Sequence, residues 1–277
     1  MNKKNNIDQK VVNDFGREWK AFNHNDIDNE SLRSAFDSYF NFFPFETLKE
    51  AEGFDMGCGS GRWAQFVCPK VGFLHCIDPS KTALDQAKLN MTGLANCSLE
   101  CAGVDNSSLK DESQDFGYSL GVLHHIPDTT LALQSCSKKL KSGAPFLLYL
   151  YYSFDNKPKS YYYLWKISDL FRNIICRLPF FLKFSISQLI AFFIYLPLAR
   201  GALAFESLGI DVSNFPLTWY RKEPFYILRT DALDRFGTRL EQRFSKLEIE
   251  SMLLDSGFRD FQFSEKEPFW TVLAYKR

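Results

Sequence analysis

The chain has 277 residues, which is enough for one elaborated domain or two small ones with a sizeable core. Its 33 basic and 33 acidic residues give a formal net charge of zero, so no strong global field favours a nucleic acid partner. Aromatic residues make up 16% of the chain, which favours large apolar pockets or an oily surface over disorder. The seven cysteines include no C-x-x-C pair, and we expect no metal site, free thiols and a cytoplasmic protein without a signal peptide.

Two helices rich in aromatic residues are expected in residues 1–50, ahead of the first strand. In 11–22, Phe15, Trp19 and Phe22 recur at helical spacing. A second helix is expected over 31–42, with Ser31 as its N-cap. The aromatic side chains either cover a binding site or simply pack on the sheet.

Residues 51–152 alternate short apolar runs with helical patterns, which predicts a parallel sheet with helices on both faces. The strands are expected at 52–56, 72–77, 97–101, 115–120 and 145–152, and helices at 62–69, after Ser80 and after Asp128. Ser245 and Glu248 form a capping-box pattern, and two final strands are expected at 258–264 and 269–275. Ligands of such sheets bind beyond the carboxyl ends of the strands.

The segment 54–62, Phe-Asp-Met-Gly-Cys-Gly-Ser-Gly-Arg, predicts the end of a buried strand, a glycine-dense turn and the start of a helix. Three glycines in five residues let the backbone approach a ligand closely, and the amides at a helix N-terminus attract negative charge. Asp55 stands just before the turn, where its carboxylate could meet a cation. This combination suits an amino acid zwitterion, such as the methionine end of S-adenosylmethionine (SAM).

Further segments extend this pattern: 73–78 as a second strand ending in an acid, 115–126 with the Leu-His-His-Ile motif, 141–150, and the last helix 244–258 with its Gly-Phe stop. Together with the turn, they resemble the Rossmann-like (class I) SAM-dependent methyltransferases of the small-molecule type. The resemblance covers about 54–152 and 244–277.

The resemblance implies an α/β fold: a doubly wound, mostly parallel seven-stranded sheet with an antiparallel last strand, N-terminal helices and a large helical insertion after strand five. The domains would be an N-terminal helical cover (1–50), a SAM-binding methyltransferase domain (51–152 and 244–277) and an inserted lid (153–243). The lid would bind substrate or face a membrane.

The resemblance also implies the cofactor, SAM, and roles for residues at the strand ends. Asp78 would hold the ribose hydroxyls, and either Asp105, shifted by two positions from the family pattern, or the Val104 amide would contact the adenine. The implied cofactor-binding residues are Asp55, Gly57, Cys58, Gly59, Gly61, Asp78, Pro79, Val104, Asp105 and Gly121.

His124 and His125 follow strand four, where a substrate would approach the methyl group. Either could act as a general base, with His125 favoured, or one could only buttress the loop. The candidate substrate residues are Trp19, Tyr149, Tyr152, Tyr220, Arg229 and Arg235. The arginines could grip an anion, or nearby acidic residues could neutralise them in a structural network.

The first half of the insertion is unusually apolar, since 178–199 holds a single charge, Lys183. Its serines, prolines and position inside an α/β domain argue against a membrane span. Two alternatives stay open. Residues 161–205 could contact a membrane surface through an amphipathic helix that places Lys166, Arg172, Arg177 and Lys183 on one polar face, or they could form a lid that packs on the core or on a twin subunit of a homodimer.

The sequence therefore predicts an enzyme that transfers a methyl group from SAM to a small or lipid-like acceptor by in-line displacement. It is expected to act without nucleic acid, in the cytoplasm or peripherally at the inner membrane surface. One alternative is an NAD(P)-dependent Rossmann oxidoreductase, because Gly59-x-Gly61-x-x-Ala64 loosely fits the dinucleotide fingerprint. The other is a non-catalytic SAM- or lipid-binding module.

Overall fold

The computed structural model describes residues 6–22 and 29–277. Its seven strands are β1 Glu52–Met56, β2 Phe73–Ile77, β3 Cys97–Glu100, β4 Phe116–Leu120, β5 Pro145–Tyr149, β6 Phe258–Phe263 and β7 Val272–Lys276. The α-helices are α1 Gln9–Ala21, α2 Asn29–Phe40, α3 Ala64–Val67, α4 Lys81–Asn90, α5 Thr129–Lys139, α6 Lys159–Ile175, α7 Phe180–Ile190, α8 Leu196–Ser207, α9 Phe225–Gly237 and α10 Lys246–Asp255. A π-helical turn, Ala191–Tyr195, joins α7 to α8.

All seven strands form one sheet in the order β3-β2-β1-β4-β5-β7-β6. Strands β1 to β5 pair in parallel, and β7 is antiparallel to both of its neighbours. The predicted fold class is confirmed. The strand order reverses between β1 and β4, so the carboxyl ends of these strands open onto the position where α/β sheets bind ligands.

The central strands are buried on both faces, which explains their near-continuous apolar sequence. Every residue of β4 is buried, as are four of the five residues of β1 and of β5. Phe146 of β5 stacks on Phe258 of β6, with ring centroids 5.2 Å apart, and both side chains are inaccessible to solvent.

Polar side chains near the first turn cap three of the helices. The Ser80 hydroxyl and the Asp128 carboxylate accept amide hydrogen bonds at the starts of α4 and α5, and Ser245 and Glu248 form the predicted capping box of α10. The prediction of Ser31 as the N-cap of the second helix is wrong, because α2 already begins at Asn29.

Three predicted boundaries also move. Strand β5 ends at Tyr149, three residues before the predicted end, and β7 begins at Val272 rather than at 269. The helix predicted at 62–69 is only the four-residue α3, followed by a 3₁₀ turn, Cys68–Lys70, that contains Pro69. Proline lacks the amide that a continuing α-helix needs.

The chain divides into two compact units. The sheet unit holds the described residues up to Lys20, Arg33–Tyr152 and Gln242–Arg277. The helical unit holds Ser153–Glu241 and the described part of Ala21–Leu32. The core of the helical unit is formed by side chains from α6 to α9: Ile175, Ala191, Tyr195, Ala199, Leu228, Ala232 and Phe236.

The expectation that four basic residues share one polar face of a continuous helix is wrong. Helix α6 ends at Ile175 and α7 begins after Pro179, so the helix is interrupted. Arg172 and Lys183 are buried, where they donate hydrogen bonds to the carbonyl oxygens of Thr238 and Gly237. By length and composition, Phe180–Ser207 is long and apolar enough to cross a membrane.

We expect Phe146→Ala to lower the free energy of unfolding by about 3–5 kcal/mol, because it removes a fully buried ring and leaves a cavity against Phe258. Urea denaturation followed by circular dichroism would measure the change. Leu247→Ala, at a side chain that is 76% exposed, is the control and is expected to stay within about 0.5 kcal/mol of the parent protein. Equal effects of the two substitutions would contradict the assigned core.

Candidate cofactor site at the carboxyl ends of the strands

The glycine turn after β1 adopts a backbone that ordinary residues avoid. Gly57, Gly59 and Gly61 have positive φ angles of 83°, 54° and 75°. The amides of Gly57 and Cys58 donate to the carbonyl oxygen of Ile77, at 2.7 and 3.1 Å, which ties the turn to the end of β2. The turn therefore holds a fixed shape at the carboxyl ends of the strands.

Asp78 lies directly after β2 and braces the same turn. Its Oδ2 accepts the Gly59 amide at 2.9 Å, and its Oδ1 accepts the Ser80 amide at 2.8 Å. Burial raises the pKa of Asp78 to about 6, although the two amides partly offset this effect. Since a carboxylate oxygen can accept more than one hydrogen bond, both oxygens retain capacity for hydroxyl donors such as those of a ribose.

Asp55, the fourth residue of β1, is a buried acid with an unsatisfied oxygen. Only 2% of its surface is exposed, and its Oδ2 has no hydrogen-bond partner within the described part of the chain. Burial raises the pKa of Asp55 to about 8; the Tyr118 hydroxyl opposes this shift and the nearby Asp78 adds to it. An unpaired buried carboxyl is costly, so the site favours a ligand that brings a cationic donor.

Arg62 ends the glycine turn, and we assigned it no role from the sequence. Its guanidinium lies 5.0 Å from the ring of Trp19 and 5.7 Å from that of Trp63. Its Nε is buried, with no hydrogen-bond partner in the described chain. The signal was its position directly after the third glycine. Because the amides of Gly57, Cys58, Gly59 and Gly61 all donate within the chain and α3 is short, Arg62 is the better candidate for an anionic ligand group.

The N-terminal segment crosses the carboxyl ends of the strands and contacts each of the first four loops. A Cβ atom built on Gly59 would lie 3.1 Å from Nε1 of Trp19, and one built on Gly16 would lie 2.6 Å from the Ser80 hydroxyl. Near the start of α1, the Asn6 amide donates to Oδ2 of Asp105. The Phe15 ring packs 4.9 Å from that of His125. Helix α1 and the residues just before it therefore lie across these four loops.

The other predicted cofactor residues also lie at the carboxyl ends of the strands. Gly121, after β4, has a φ angle of 75°, and apart from its chain neighbours no atom of the described residues would lie within 4 Å of a Cβ built there. Val104 is buried, Asp105 is exposed and engaged by Asn6, and the Pro79 carbonyl accepts a hydrogen bond from the Cys101 thiol. The thiol of Cys58 is buried, and a hydrogen bond with Cys76 together with burial raises its pKa well above its usual value.

The two histidines differ in their surroundings. His124 is fully buried; its Nδ1 accepts the Tyr151 amide at 3.4 Å, and its ring stacks on that of Tyr151 at 3.9 Å. Burial lowers the pKa of His124 well below its usual value, and the nearby His125 adds to this effect. His124 is therefore a weak base that packs against His125, with ring centroids 4.1 Å apart.

An aromatic wall, defined as Trp19, Tyr39, Trp63, Tyr149 and Tyr151, lines this edge. Tyr39 lies 5.3 Å from Trp63 and 5.1 Å from Tyr149, and Tyr149 lies 6.1 Å from Tyr151. Arg62 joins Trp19 to Trp63 through its guanidinium. Of the predicted substrate residues, the wall contains Trp19 and Tyr149, whereas Tyr152 packs 5.7 Å from Phe269.

The remaining predicted substrate residues lie in the helical unit, each with local partners. Tyr220 packs 5.5 Å from Tyr195, and Arg229 donates to Oε1 of Gln188 at 2.6 Å. Arg235 donates to both carboxylate oxygens of Glu241, at 3.0 and 2.9 Å. The Arg235 contacts support the structural alternative for that residue.

Comparisons with known proteins bear directly on this site. Residues 54–148 match the family model described as a methyltransferase domain. Residues 54–148 are therefore a methyltransferase domain. For these residues, the match confirms the methyltransferase family recognised from the sequence, its enzyme class and SAM as its cofactor.

Two curated relatives show how far the likeness extends. A ubiquinone biosynthesis O-methyltransferase of Nitrosomonas europaea is 30% identical over 120 residues, which is 42% of this chain and 49% of that protein. A tRNA U34 carboxymethyltransferase of Aliarcobacter butzleri is 32% identical over 111 residues, which is 38% of this chain and 35% of that protein. The chain thus spans less than half the length of each of these relatives.

A solved structure shares the fold over nearly the whole chain. It is a SAM-dependent methyltransferase of Thermotoga maritima, named as a possible histamine N-methyltransferase, with 16% identity and a TM-score of 0.51. The match covers 96% of this chain and 99% of that one. At this identity, the likeness shows the fold alone.

The raised pKa of Asp55 predicts a specific pH dependence of stability. Native Asp55 keeps its proton up to about pH 8, whereas the unfolded state releases it near the ordinary pKa of an aspartate, 3.8. The native state therefore binds more protons across this window, and stability falls as the pH rises. We expect Asp55→Asn to remove this contribution, on the order of 1 kcal/mol per pH unit, so that it gains stability over the parent protein between pH 7 and 8.

Urea denaturation of both proteins at several pH values would measure this difference. Asp111→Asn is the matched control, because Asp111 is an exposed acid whose pKa is lowered by its hydrogen bond to Lys139. Parallel pH profiles for the parent protein and Asp55→Asn would show that Asp55 is ionised when buried, contrary to this account.

Proposed function

We propose that the protein methylates a small, apolar or lipid-like acceptor at the carboxyl ends of β1, β2 and β4. The observation that carries the proposal is a pair of buried polar atoms that the described residues leave without a hydrogen-bond partner, Oδ2 of Asp55 before the glycine turn and Nε of Arg62 after it. The first suits an ammonium group and the second a carboxylate, so together they fit the amino acid end of SAM. Asp78, with spare acceptor capacity, suits the ribose.

Methyl transfer mainly requires that the acceptor be aligned with the methyl group of SAM and that water be excluded. SAM supplies the methyl group on a positively charged sulfur. The faces of the aromatic wall would stabilise that charge by cation–π contact, and α1 would keep water from the strand ends. No protein nucleophile is needed for such an in-line displacement.

His125 is our proposed base for an acceptor that must lose a proton. It contacts Phe15 of the cover and follows β4, where the acceptor would approach. His124 acts on this ring by packing, since its lowered pKa makes it a poor proton acceptor. In this proposal, His125 is the reacting group and His124 is a positioning group.

The acceptor is inferred from the chemistry of the wall. Trp19, Tyr149 and Tyr151 offer flat apolar faces, which suit an aromatic ring or a lipid-linked group better than a sugar. In our proposal, Tyr152 is a further substrate contact of the sheet unit. We assign Arg235 a structural role, because its guanidinium already donates hydrogen bonds to both carboxylate oxygens of Glu241. The zero net charge argues against a nucleic acid acceptor, although one curated relative is named for a tRNA.

The proposal is tested by incubating the protein with labelled SAM and a cell extract, and identifying what becomes labelled. Gly59→Val is the control, because a branched side chain at a φ angle of 54° beside Trp19 would block the turn and abolish cofactor binding. Label in an organic-solvent fraction supports the proposal. Label in RNA contradicts the acceptor class, and binding of SAM without any product would indicate a non-catalytic module.

We expect Asp78→Ala to weaken SAM binding about 5- to 150-fold, equivalent to about 1–3 kcal/mol, because it removes an acceptor for the ribose and the brace on Gly59. Calorimetric titration would measure the dissociation constant. Asp111→Ala, at an exposed acid, is expected to leave it unchanged. An unaltered dissociation constant for Asp78→Ala would exclude the ribose role.

A further inference from the structure

Exposed apolar side chains are concentrated in one part of the helical unit. Of the 23 large hydrophobic side chains that the described residues expose, 18 lie between Tyr162 and Phe215. They are Tyr162, Tyr163, Leu164, Ile167, Leu170, Phe171, Ile174, Phe181, Leu182, Leu189, Phe192, Phe193, Ile194, Leu198, Phe205, Leu208, Ile210 and Phe215. Apolar patches of this extent mark interaction sites rather than ordinary surface.

The long helical stretch Phe180–Ser207 has its polar and apolar sides reversed relative to a water-facing helix. Lys183 and Ser187 point inward, with 2% and 0% exposure, whereas Phe181 and Phe193 point outward, with 73% and 67% exposure. A helix on a water-soluble domain buries its apolar stripe instead. This stretch therefore presents apolar side chains on its outward side.

Helix α6 shows the same reversal. Tyr163, Ile167, Leu170 and Ile174 recur every three or four residues and are exposed, so they form an outward stripe. The inward side carries Arg172, which is buried and bonded to Asp169 at 2.6 Å.

The charges on the inward sides are satisfied within the unit. Arg235 contacts Asp169 as well as Glu241, and Lys183 donates to the carbonyl oxygen of Gly237 at 3.0 Å. Helices that face lipid keep their ionisable groups inside and paired in this way. These charged side chains are therefore buried and paired inside the helical unit, and they do not interrupt the apolar surface.

The border of the apolar surface is basic. Lys159, Lys166 and Arg177 are exposed. The acidic residues between Tyr162 and Phe215 are Asp169 and Glu206, which are paired with arginines, and Asp211, which accepts hydrogen bonds from Ser213. Exposed cations beside an apolar surface suit anionic lipid headgroups.

We propose that the lipid face, defined as the outward sides of α6 and of Phe180–Ser207, lies in the interface of an anionic membrane. A second copy of the chain is a poorer occupant, because a two-fold interface is built from the same surface of both copies, so the exposed cations Lys159, Lys166 and Arg177 would meet a surface that carries the same charges. The stretch lies on the membrane rather than across it, since Ala191, Tyr195 and Ala199 on its other side are buried in the core of the helical unit. This inference does not depend on methyl transfer.

The test is flotation of the whole chain with vesicles in the absence of SAM. Vesicles of phosphatidylcholine mixed with phosphatidylglycerol are expected to carry the protein, and vesicles of phosphatidylcholine alone to carry much less. The variant Leu189→Ser/Phe192→Ser/Phe193→Ser is expected to lose more than about tenfold in binding. The control Leu89→Ser/Leu131→Ser/Leu247→Ser, at exposed positions of the sheet unit, is expected to bind like the parent protein.

The basic border is tested with Lys159→Gln/Lys166→Gln/Arg177→Gln, which is expected to lose about fivefold in binding to anionic vesicles for each cation removed. Unchanged melting temperatures without vesicles would show that all variants fold. Three results would overturn the proposal: no flotation of the parent protein, full flotation of the Leu189/Phe192/Phe193 variant, or a dimer that this variant dissociates while neither protein binds vesicles.

Discussion

The candidate site depends on one unfavourable feature, a carboxyl group buried at the end of β1 with an oxygen that the described chain does not satisfy. Asp55 is held there by the sheet itself, since its neighbours in β1 are buried between β2 and β4. Burial keeps its pKa near 8, so the free protein carries a proton that a cationic ligand would displace. The unpaired buried carboxyl group thus destabilises the free protein, and a cationic ligand would remove this penalty. Groups with strongly shifted pKa values are typical of active sites.

The rest of the site is built around that carboxyl group. The glycine turn needs positive φ angles to connect β1 to a short helix, and Asp78 fixes this shape by accepting the Gly59 amide. Helix α1 then closes over the turn with Trp19, and Arg62 is held between two indole rings. The same few residues therefore provide acceptors, a cation and aromatic faces at one edge, which is the chemistry that SAM requires.

The sequence predicted the sheet well because its signals are local: buried strands, glycine turns and side-chain caps such as Ser80 and Asp128. It failed where tertiary contacts decide. Arg172 and Lys183 read as a solvated polar face, but their partners are carbonyl groups more than 50 residues away in the chain, which periodicity cannot reveal. Arg62 was overlooked because its role depends on Trp19, which lies in a separate helix. The reversed helices of the insertion likewise became evident only once inward and outward sides were known.

The central claim is that Asp55 exchanges its proton for a ligand cation. Calorimetric titration with S-adenosylhomocysteine at pH 7, in two buffers of different ionisation enthalpy, measures the protons released on binding, because this product keeps the ammonium and carboxylate groups of SAM. The account predicts the release of nearly one proton by the parent protein and of none by Asp55→Asn, which would also bind more weakly. Binding that releases no proton, or equal release by both proteins, would contradict it.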